Sequence, residues 1–164
     1  MMVRRSQGWG RLCWGLIVAL AVILPAAAQK PADDLAPGSP HLVQPEQLAK
    51  ELKSAGKPLV LYLGPRFLYR QAHIPGAEFI GMPSEAIEKL RARVAFLPKD
   101  SPVVIYCGCC PWEHCPNVRP GFAELKKAGL TKVRVLYLPA SFSADWKNKG
   151  FPVASGDQPG QSTR

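Results

Sequence analysis

The chain has 164 residues, with 21 Lys and Arg against 12 Asp and Glu and a net charge of +9. This length suits one domain with a hydrophobic core of its own. The basic residues are scattered along the chain and are not interleaved with aromatic residues, which argues against nucleic acid as a partner.

The beginning of the chain has the three parts of an export signal. An arginine-rich start is followed by an apolar run over residues 12–24 and then by Ala26–Ala28. This order is typical of a signal peptide over residues 1–28 that is cleaved before Gln29. The apolar run has about 13 residues against the roughly 20 of a bilayer-spanning helix, so we expect no permanent membrane span. The sequence therefore predicts a periplasmic or secreted protein.

The rest of the chain divides by composition. Residues 29–40 are rich in Pro, Ala, Asp and Gly, which predicts a flexible leader, and residues 154–164 are predicted to be a disordered tail. Residues 41–153 contain short apolar runs that alternate with helical patterns. This alternation predicts a single α/β domain with a mostly parallel central sheet flanked by helices. We expect a monomer.

Within this domain, the first half contains three predicted elements. His41–Val43 is a candidate edge strand. Pro45 is suited to open a helix over residues 46–53, because its ring fixes a helical φ and the first turn needs no N–H donor. Leu59–Leu63 is continuously apolar, which is typical of a buried strand.

The second half has the same alternation. The predicted elements are a helix over residues 85–96 capped by Ser84, a strand over 103–106, a helix over 118–128 closed by Gly129, and a strand over 133–138. The strand over 103–106 leads directly into Cys107. A side chain in that place lies where open α/β sheets bind ligands.

Four cysteines of the expected mature chain lie within nine residues, and a fifth, Cys13, belongs to the predicted signal peptide. The four are Cys107, Cys109, Cys110 and Cys115. A domain of this size does not depend on disulfides, and short loops gain little stability from closure. The cluster therefore indicates chemistry.

Several chemical roles fit this cluster. Cys107 is a candidate thiolate nucleophile, and the other three are candidate resolving or redox thiols, or a disulfide pair that closes the loop. This first interpretation requires no cofactor. The alternative is a non-catalytic module, either disulfide-stabilised or binding Cu(I) or Zn²⁺ through the four cysteines and His114.

Four sequence blocks, taken together, resemble a known family. They are His73–Ala77, Val103–Cys107, Leu125–Leu130 and Trp146–Val153. Their order and spacing resemble the rhodanese-like (sulfurtransferase) domain family over residues 41–153. The resemblance implies a five-stranded parallel sheet and a catalytic cysteine, matched by Cys107. In the family that cysteine takes sulfane sulfur from a donor as a persulfide and passes it to an acceptor.

The cysteine loop departs from the family pattern. It is about five residues longer, with Asn117 near the position where the family has an arginine and Arg119 two residues beyond. Pro111 and Pro116 each remove a backbone N–H, so a simple nest of amides around an anion is less available.

Arginine is the expected partner of a bound anion. We predict that Arg119, in the first turn of its helix, assists Cys107 in catalysis, and that Arg66 and Arg70 are further candidates for an anion pocket. The expected partners are a small sulfur-containing anion and a thiol acceptor.

Overall fold

The structure is a computed structural model that describes residues 33–157. The predicted signal peptide with Cys13, the first residues of the predicted leader and residues 158–164 of the predicted tail lie outside the described residues.

Five strands form one parallel sheet. They are β1 (Leu42–Val43), β2 (Leu59–Leu63), β3 (Glu78–Gly81), β4 (Val103–Tyr106) and β5 (Val133–Leu136). The strand order is β1-β5-β4-β2-β3, and every neighbouring pair is parallel. The predicted α/β class and parallel sheet are confirmed. The sequence analysis missed β3, because its four residues include Glu78 and Gly81 and lack the apolar run of a buried strand.

Five α-helices accompany the strands within residues 33–157. They are α1 (Pro45–Glu51), α2 (Arg66–Gln71), α3 (Pro83–Val94), α4 (Val118–Lys127) and α5 (Phe142–Asp145). The prediction that Ser84 caps α3 is wrong: the cap is Met82 in an extended conformation, and Pro83 occupies the first turn. The sequence analysis missed α2 and α5, because one or two helical turns are too short to show a period. No helix among residues 33–157 is long and apolar enough to cross a membrane.

The two faces of the sheet are covered by separate hydrophobic clusters, and β4 contributes to both. Val103 and Ile105 belong to the cluster that contains the buried residues of α3 and α4. Val104 and Tyr106 belong to the cluster on the other face, with buried residues of α1, α2 and α5. Because side chains alternate along a strand, Cys107 continues the first series and lies on the α4 face.

A glycine lets α4 approach the sheet closely. A Cβ atom at Gly121 would lie 2.4 Å from Cδ1 of Leu63, a distance that only the absence of a side chain permits. Gly121 is in the first turns of α4, whereas Leu63 is the last residue of β2. The contact therefore holds the beginning of α4 against the carboxyl end of the sheet.

The packed chain extends beyond residues 41–153 at both ends. Leu35 is buried in the cluster of the α4 face, although it belongs to the segment predicted as a leader. Ala154 pairs with His73 in a β-bridge, and Asp157 forms ion pairs with Arg66 and Arg70. Residues 33–40 and 154–157 are thus attached to the domain by specific contacts.

Candidate active site

Cys107 is the first residue after β4, a strand with neighbours on both sides in the sheet. The side chain is only 3% exposed. The position at the carboxyl edge is the one predicted from the apolar run that precedes it. A buried thiol at this edge is shielded from bulk solvent, so its reactivity depends on the groups that touch it.

The loop after Cys107 turns back on itself because Trp112 anchors it. A 3₁₀ turn spans Trp112–His114, and the Trp112 backbone N–H donates to the carbonyl of Leu138, with an N···O distance of 3.0 Å. The indole is buried and its ring centroid lies 5.7 Å from that of Tyr137. The backbone N–H of Cys115 then donates to the Trp112 carbonyl, which returns Cys115 to the side of Cys107.

The four sulfur atoms form one compact group. The Sγ atoms of Cys107 and Cys109 are 2.9 Å apart, and those of Cys109 and Cys110 are 3.0 Å apart. All four Sγ atoms, including that of Cys115, lie within 4.8 Å of one another. All four cysteines are free thiols, with Cys107 and Cys115 buried, Cys110 half-buried and Cys109 exposed. The structure thus brings together all four cysteines that the sequence singled out.

Hydrogen bonds to its sulfur lower the pKa of Cys107 to about 5. The largest contribution is the bond from the Cys115 thiol, and the Cys109 thiol, the Cys109 backbone N–H and the Asn117 amide contribute further. Burial acts in the opposite direction but is outweighed. Cys107 is therefore a thiolate at neutral pH, as a sulfur nucleophile requires.

The pKa values of the neighbouring thiols Cys109 and Cys115 are raised. Donation of its hydrogen to Cys107 raises the pKa of Cys115, although the backbone N–H groups of Asn117 and Val118 at the start of α4 point at its sulfur. Burial, followed by the bond to Cys107, raises the pKa of Cys109. The amino-terminal end of α4 therefore contacts the Cys115 sulfur, and the Cys115 thiol in turn donates a hydrogen bond to Cys107.

Asn117 contacts the cluster from the other side. Its Nδ2 lies 3.4 Å from Cys107 Sγ and 3.9 Å from Cys109 Sγ. The residue is 4% exposed, and Oδ1 accepts no hydrogen bond from the part of the chain that the structure describes. The sequence placed Asn117 near the family's arginine position without giving it a role. The structure makes it a neutral donor to the thiolate.

Tyr62 is a further neighbour that sequence reasoning missed. A Cβ atom at Gly64 would lie 3.0 Å from both Cys107 Sγ and Tyr62 Oη, so the absence of a side chain there leaves room for both. Burial, followed by the negative charge of Cys107, raises the pKa of Tyr62. In the sequence Tyr62 is one residue of an apolar strand, and nothing local distinguishes it from a core residue.

Each of the three predicted arginines is paired with a carboxylate. Arg119 forms a bidentate ion pair with Asp33, and its guanidinium lies 5.8 Å from the Trp112 ring centroid. Arg66 and Arg70 both pair with Asp157. In each case the carboxylate belongs to a terminal segment, and the sequence alone does not predict that this segment reaches the arginine.

His114 is exposed on the 3₁₀ turn and does not belong to the group of converging metal-ligating side chains found among residues 33–157, which consists of the four cysteines. The set of five ligands considered in the sequence analysis is thereby reduced to four.

A small cavity opens beside the loop. Its volume is about 50 Å³, and Gly108, Phe142, Ser143 and Lys147 are among the lining residues. Gly108 directly follows Cys107, and Lys147 supplies a cationic side chain to the lining. None of the four cysteines is among the residues that line it, so the cavity does not open onto the sulfur group.

Solved structures share this fold. A crystal structure of the Alr3790 protein from Anabaena sp. is 25% identical, with a TM-score of 0.52 over 69% of this chain and 82% of that chain. Thiosulfate sulfurtransferase from Pseudomonas aeruginosa is 23% identical, with a TM-score of 0.55 over 71% of this chain, which spans 20% of that protein. Protein hp1203 from Helicobacter pylori is 17% identical, with a TM-score of 0.51 over 75% of this chain and 96% of that chain. The last two likenesses concern the fold alone. No curated protein sequence matches the chain significantly.

The sequence profile of the Rhodanese-like domain matches residues 44–138, which is more than half of the chain. The match includes β4, the cysteine loop and α4, so it covers the site as well as the sheet. Family membership suggests a function of the sulfurtransferase type. With this match, the parallel sheet and the cysteine at its carboxyl edge in agreement, the chain belongs to the rhodanese-like domain family.

Proposed function

We propose that the protein transfers sulfane sulfur and that the Sγ atom of Cys107 carries it. The observation that supports this proposal most strongly is the lowered pKa of Cys107, which results from hydrogen bonds that converge on its sulfur from Cys115, Cys109 and Asn117. A thiolate is the nucleophile of sulfur exchange, and here it is formed without a contacting arginine.

The reaction balances without a cofactor. The Cys107 thiolate attacks the outer sulfur of a donor such as thiosulfate, the donor's S–S bond breaks, and sulfite leaves with the bonding electron pair. Cys107 then carries a persulfide. A thiolate acceptor attacks the outer sulfur of that persulfide, takes it up, and releases the Cys107 thiolate. The proposed donor is a small sulfur-containing anion.

A second route is favoured by the 2.9 Å separation of Cys107 and Cys109. The sulfur of Cys109 attacks the Cys107 sulfur, a Cys107–Cys109 disulfide forms, and the outer sulfur leaves as hydrosulfide with the proton of the Cys109 thiol. Two thiols are oxidised and one sulfane sulfur is reduced to sulfide. Cys115, which donates a hydrogen bond to Cys107, is the second candidate for this step.

The proposed site of action is outside the cytoplasm. This rests on the arginine-rich start, the apolar run over residues 12–24 and Ala26–Ala28. Cell fractionation with amino-terminal sequencing of the mature protein tests it. A mature chain that begins at Gln29 is expected in the extracytoplasmic soluble fraction, and recovery of the intact chain in the cytoplasm or the membrane pellet would contradict it.

Mass spectrometry of the reduced protein after treatment with thiosulfate tests the chemistry. The expected product gains one sulfur atom on the peptide that contains Cys107, and the Cys107→Ser variant gains none. Cys110→Ser is the matched control, because this half-buried thiol contacts Cys109 rather than Cys107 in the hydrogen-bonded group. Sulfur loading that survives in Cys107→Ser would refute the proposal, and loss of two hydrogens with release of sulfide would identify the second route.

A further inference from the structure

The cysteine loop supplies more sulfur atoms than the proposed transfer needs. One nucleophile and one resolving thiol suffice, yet four Sγ atoms lie within 4.8 Å of one another. Cys110, which contacts Cys109 at 3.0 Å, has no part in either route. A convergent set of soft donors is the arrangement found where proteins bind thiophilic metal ions.

Two of the four sulfurs are fixed from opposite sides. Cys107 is held by the end of β4, and Cys115 by the turn after Trp112 and by the amides at the start of α4. Cys109 and Cys110 occupy the more exposed part of the loop, between these anchors. The two buried sulfurs thus form the inner side of the group, and the two less buried cysteines lie on the solvent side, from which a metal ion can enter.

None of the hydrogen-bond donors to these sulfurs found among residues 33–157 is a cationic group. Within residues 33–157, the hydrogen bonds that the structure gives these sulfurs come from other thiols, from the Asn117 amide and from backbone N–H groups. Arg119, the predicted cationic neighbour, is paired with Asp33 instead. A second thiolate in this group would meet unrelieved repulsion, which a bound cation removes. Asn117 matches the outer-shell donors that orient metal ligands.

We propose that Cys107, Cys109, Cys110 and Cys115 form an all-sulfur binding site for a soft monovalent metal ion, Cu(I). Thiolate ligands select Cu(I) and Zn²⁺ among common ions. A tetrahedral zinc site with Zn–S bonds of about 2.3 Å spaces its sulfurs about 3.8 Å apart. The pairs at 2.9 and 3.0 Å would both have to open to reach that spacing. Both short pairs contain Cys109, and Cu(I) is satisfied by a smaller set of thiolates, so it can bind Cys107, Cys110 and Cys115 and leave the Cys109 sulfur unbound.

Binding is a ligand exchange in which each coordinating thiol releases its proton to the buffer and no electron is transferred. The bound ion would occupy Cys107 and thereby block the proposed sulfur transfer. The two proposals are nevertheless tested separately, because retention of the metal is measured without any sulfur donor.

The experiment is a competition for Cu(I) between the reduced, purified protein and the coloured chelator bicinchoninate, under anaerobic conditions. We expect the protein to retain about one Cu(I) per chain after gel filtration. Cys107→Ser and Cys115→Ser should each lower the affinity by about 100-fold or more, since each removes a fixed ligand. Asn117→Ala should lower it by about 10- to 100-fold, as outer-shell substitutions do. His114→Ala is the matched control, because this exposed side chain on the same loop lies outside the sulfur group.

Circular dichroism of each variant separates loss of a ligand from loss of the fold. If Cys115→Ser fails to fold, Cys110→Ser replaces it, because Cys110 is only half-buried and remains a ligand when Cys109 is left unbound. Unchanged Cu(I) affinity in the folded cysteine variants, or a loss in His114→Ala equal to theirs, would overturn the proposal. So would a parallel competition with a zinc chelator in which Zn²⁺ is held more tightly than Cu(I).

Discussion

Cys107 and Cys115 occupy comparable sites and differ in chemistry. Both are almost fully buried, and both lie in the hydrophobic cluster of the α4 face. Yet the pKa of Cys107 is lowered to about 5, whereas that of Cys115 is raised. The largest contribution to this difference is one hydrogen bond, in which the Cys115 thiol donates and the Cys107 sulfur accepts. Burial alone would raise both pKa values, so the hydrogen bonds determine which thiol is the nucleophile.

The arrangement also explains how a thiolate is held without an arginine. The amides at the start of α4 point at the Cys115 sulfur, and the Cys115 thiol donates to Cys107. Cys107 thus receives the polarity of the helix terminus through a neighbouring thiol. The longer loop makes this possible, because it places a cysteine between the nucleophile and the helix.

The largest expected effect concerns the dependence of stability on pH. The folded-state pKa of Cys107 is about 5, below the value of about 8.5 for an ordinary cysteine, so its contribution to stability is complete above the unfolded-state value and is lost as the pH falls through 5. Between these limits the free energy of unfolding should rise by at most about 1.4 kcal/mol per pH unit. Above about pH 8.5 the raised pKa values of Cys109 and Cys115 reverse the trend.

Denaturant unfolding at a series of pH values measures this dependence. The Cys107→Ser variant should lose the rise between pH 5 and about 8.5, since it lacks the titrating thiol. Parallel curves for the wild type and the variant would show that Cys107 has no lowered pKa, and the contrast with Cys115 would disappear.

Cys115→Ala tests the hydrogen bond that separates the two thiols. A hydrogen bond to a charged group contributes about 1.5–3 kcal/mol, so its removal should raise the pKa of Cys107 by about 1–2 units. The pH dependence of thiolate ultraviolet absorbance reports the change. Cys110→Ala is the control with one thiol fewer, and it should shift the Cys107 titration less, because the Cys110 sulfur contacts Cys109 rather than Cys107. Equal shifts would mean that the direct bond from Cys115 is not decisive.

Asn117→Ala should also raise the pKa of Cys107, but by less than Cys115→Ala does. Its Nδ2 is 3.4 Å from Cys107 Sγ, and it is the last of the four donors in order of effect. We expect the pKa of Cys107 to rise by about 0.5–1 unit, which corresponds to about 0.7–1.4 kcal/mol. The same absorbance titration measures it. Asn117→Asp, which replaces the donor by a negative charge, should raise the pKa further, and a fall would contradict the proposed contact.

Arg119→Ala should have the smallest effect on the site. The Arg119 and Asp33 side chains are 41% and 50% exposed, and such a surface ion pair contributes about 0.2–1 kcal/mol. We therefore expect a small loss of stability in thermal unfolding and no measurable change in the Cys107 titration. A rise in the pKa of Cys107 similar to that in Cys115→Ala would restore the catalytic role that the sequence analysis gave to Arg119.

The part of the site that could be predicted is the part set by local pattern. The apolar run Val103–Tyr106 forms a strand whose alternation assigns each side chain to a face, and Cys107 follows as its next residue. The start of α1 at Pro45 was likewise predictable, because the proline ring fixes the local φ angle. Contacts between distant segments could not be predicted from the sequence. The pairing of Arg119 with Asp33 joins residues 86 positions apart and depends on where the leader docks.

The sequence by itself determined the class of the sheet, the place of Cys107 and the family, because these follow from the spacing of apolar runs and from ordered short motifs. Only the tertiary structure decided which cysteine accepts hydrogen bonds and which donates. That outcome requires Trp112 to bond the Leu138 carbonyl, Gly121 to let α4 approach Leu63, and the loop to return Cys115 to Cys107. These contacts join segments that are distant in the sequence, so the spacing of residues does not predict them. They determine which thiol donates a hydrogen bond and which accepts it.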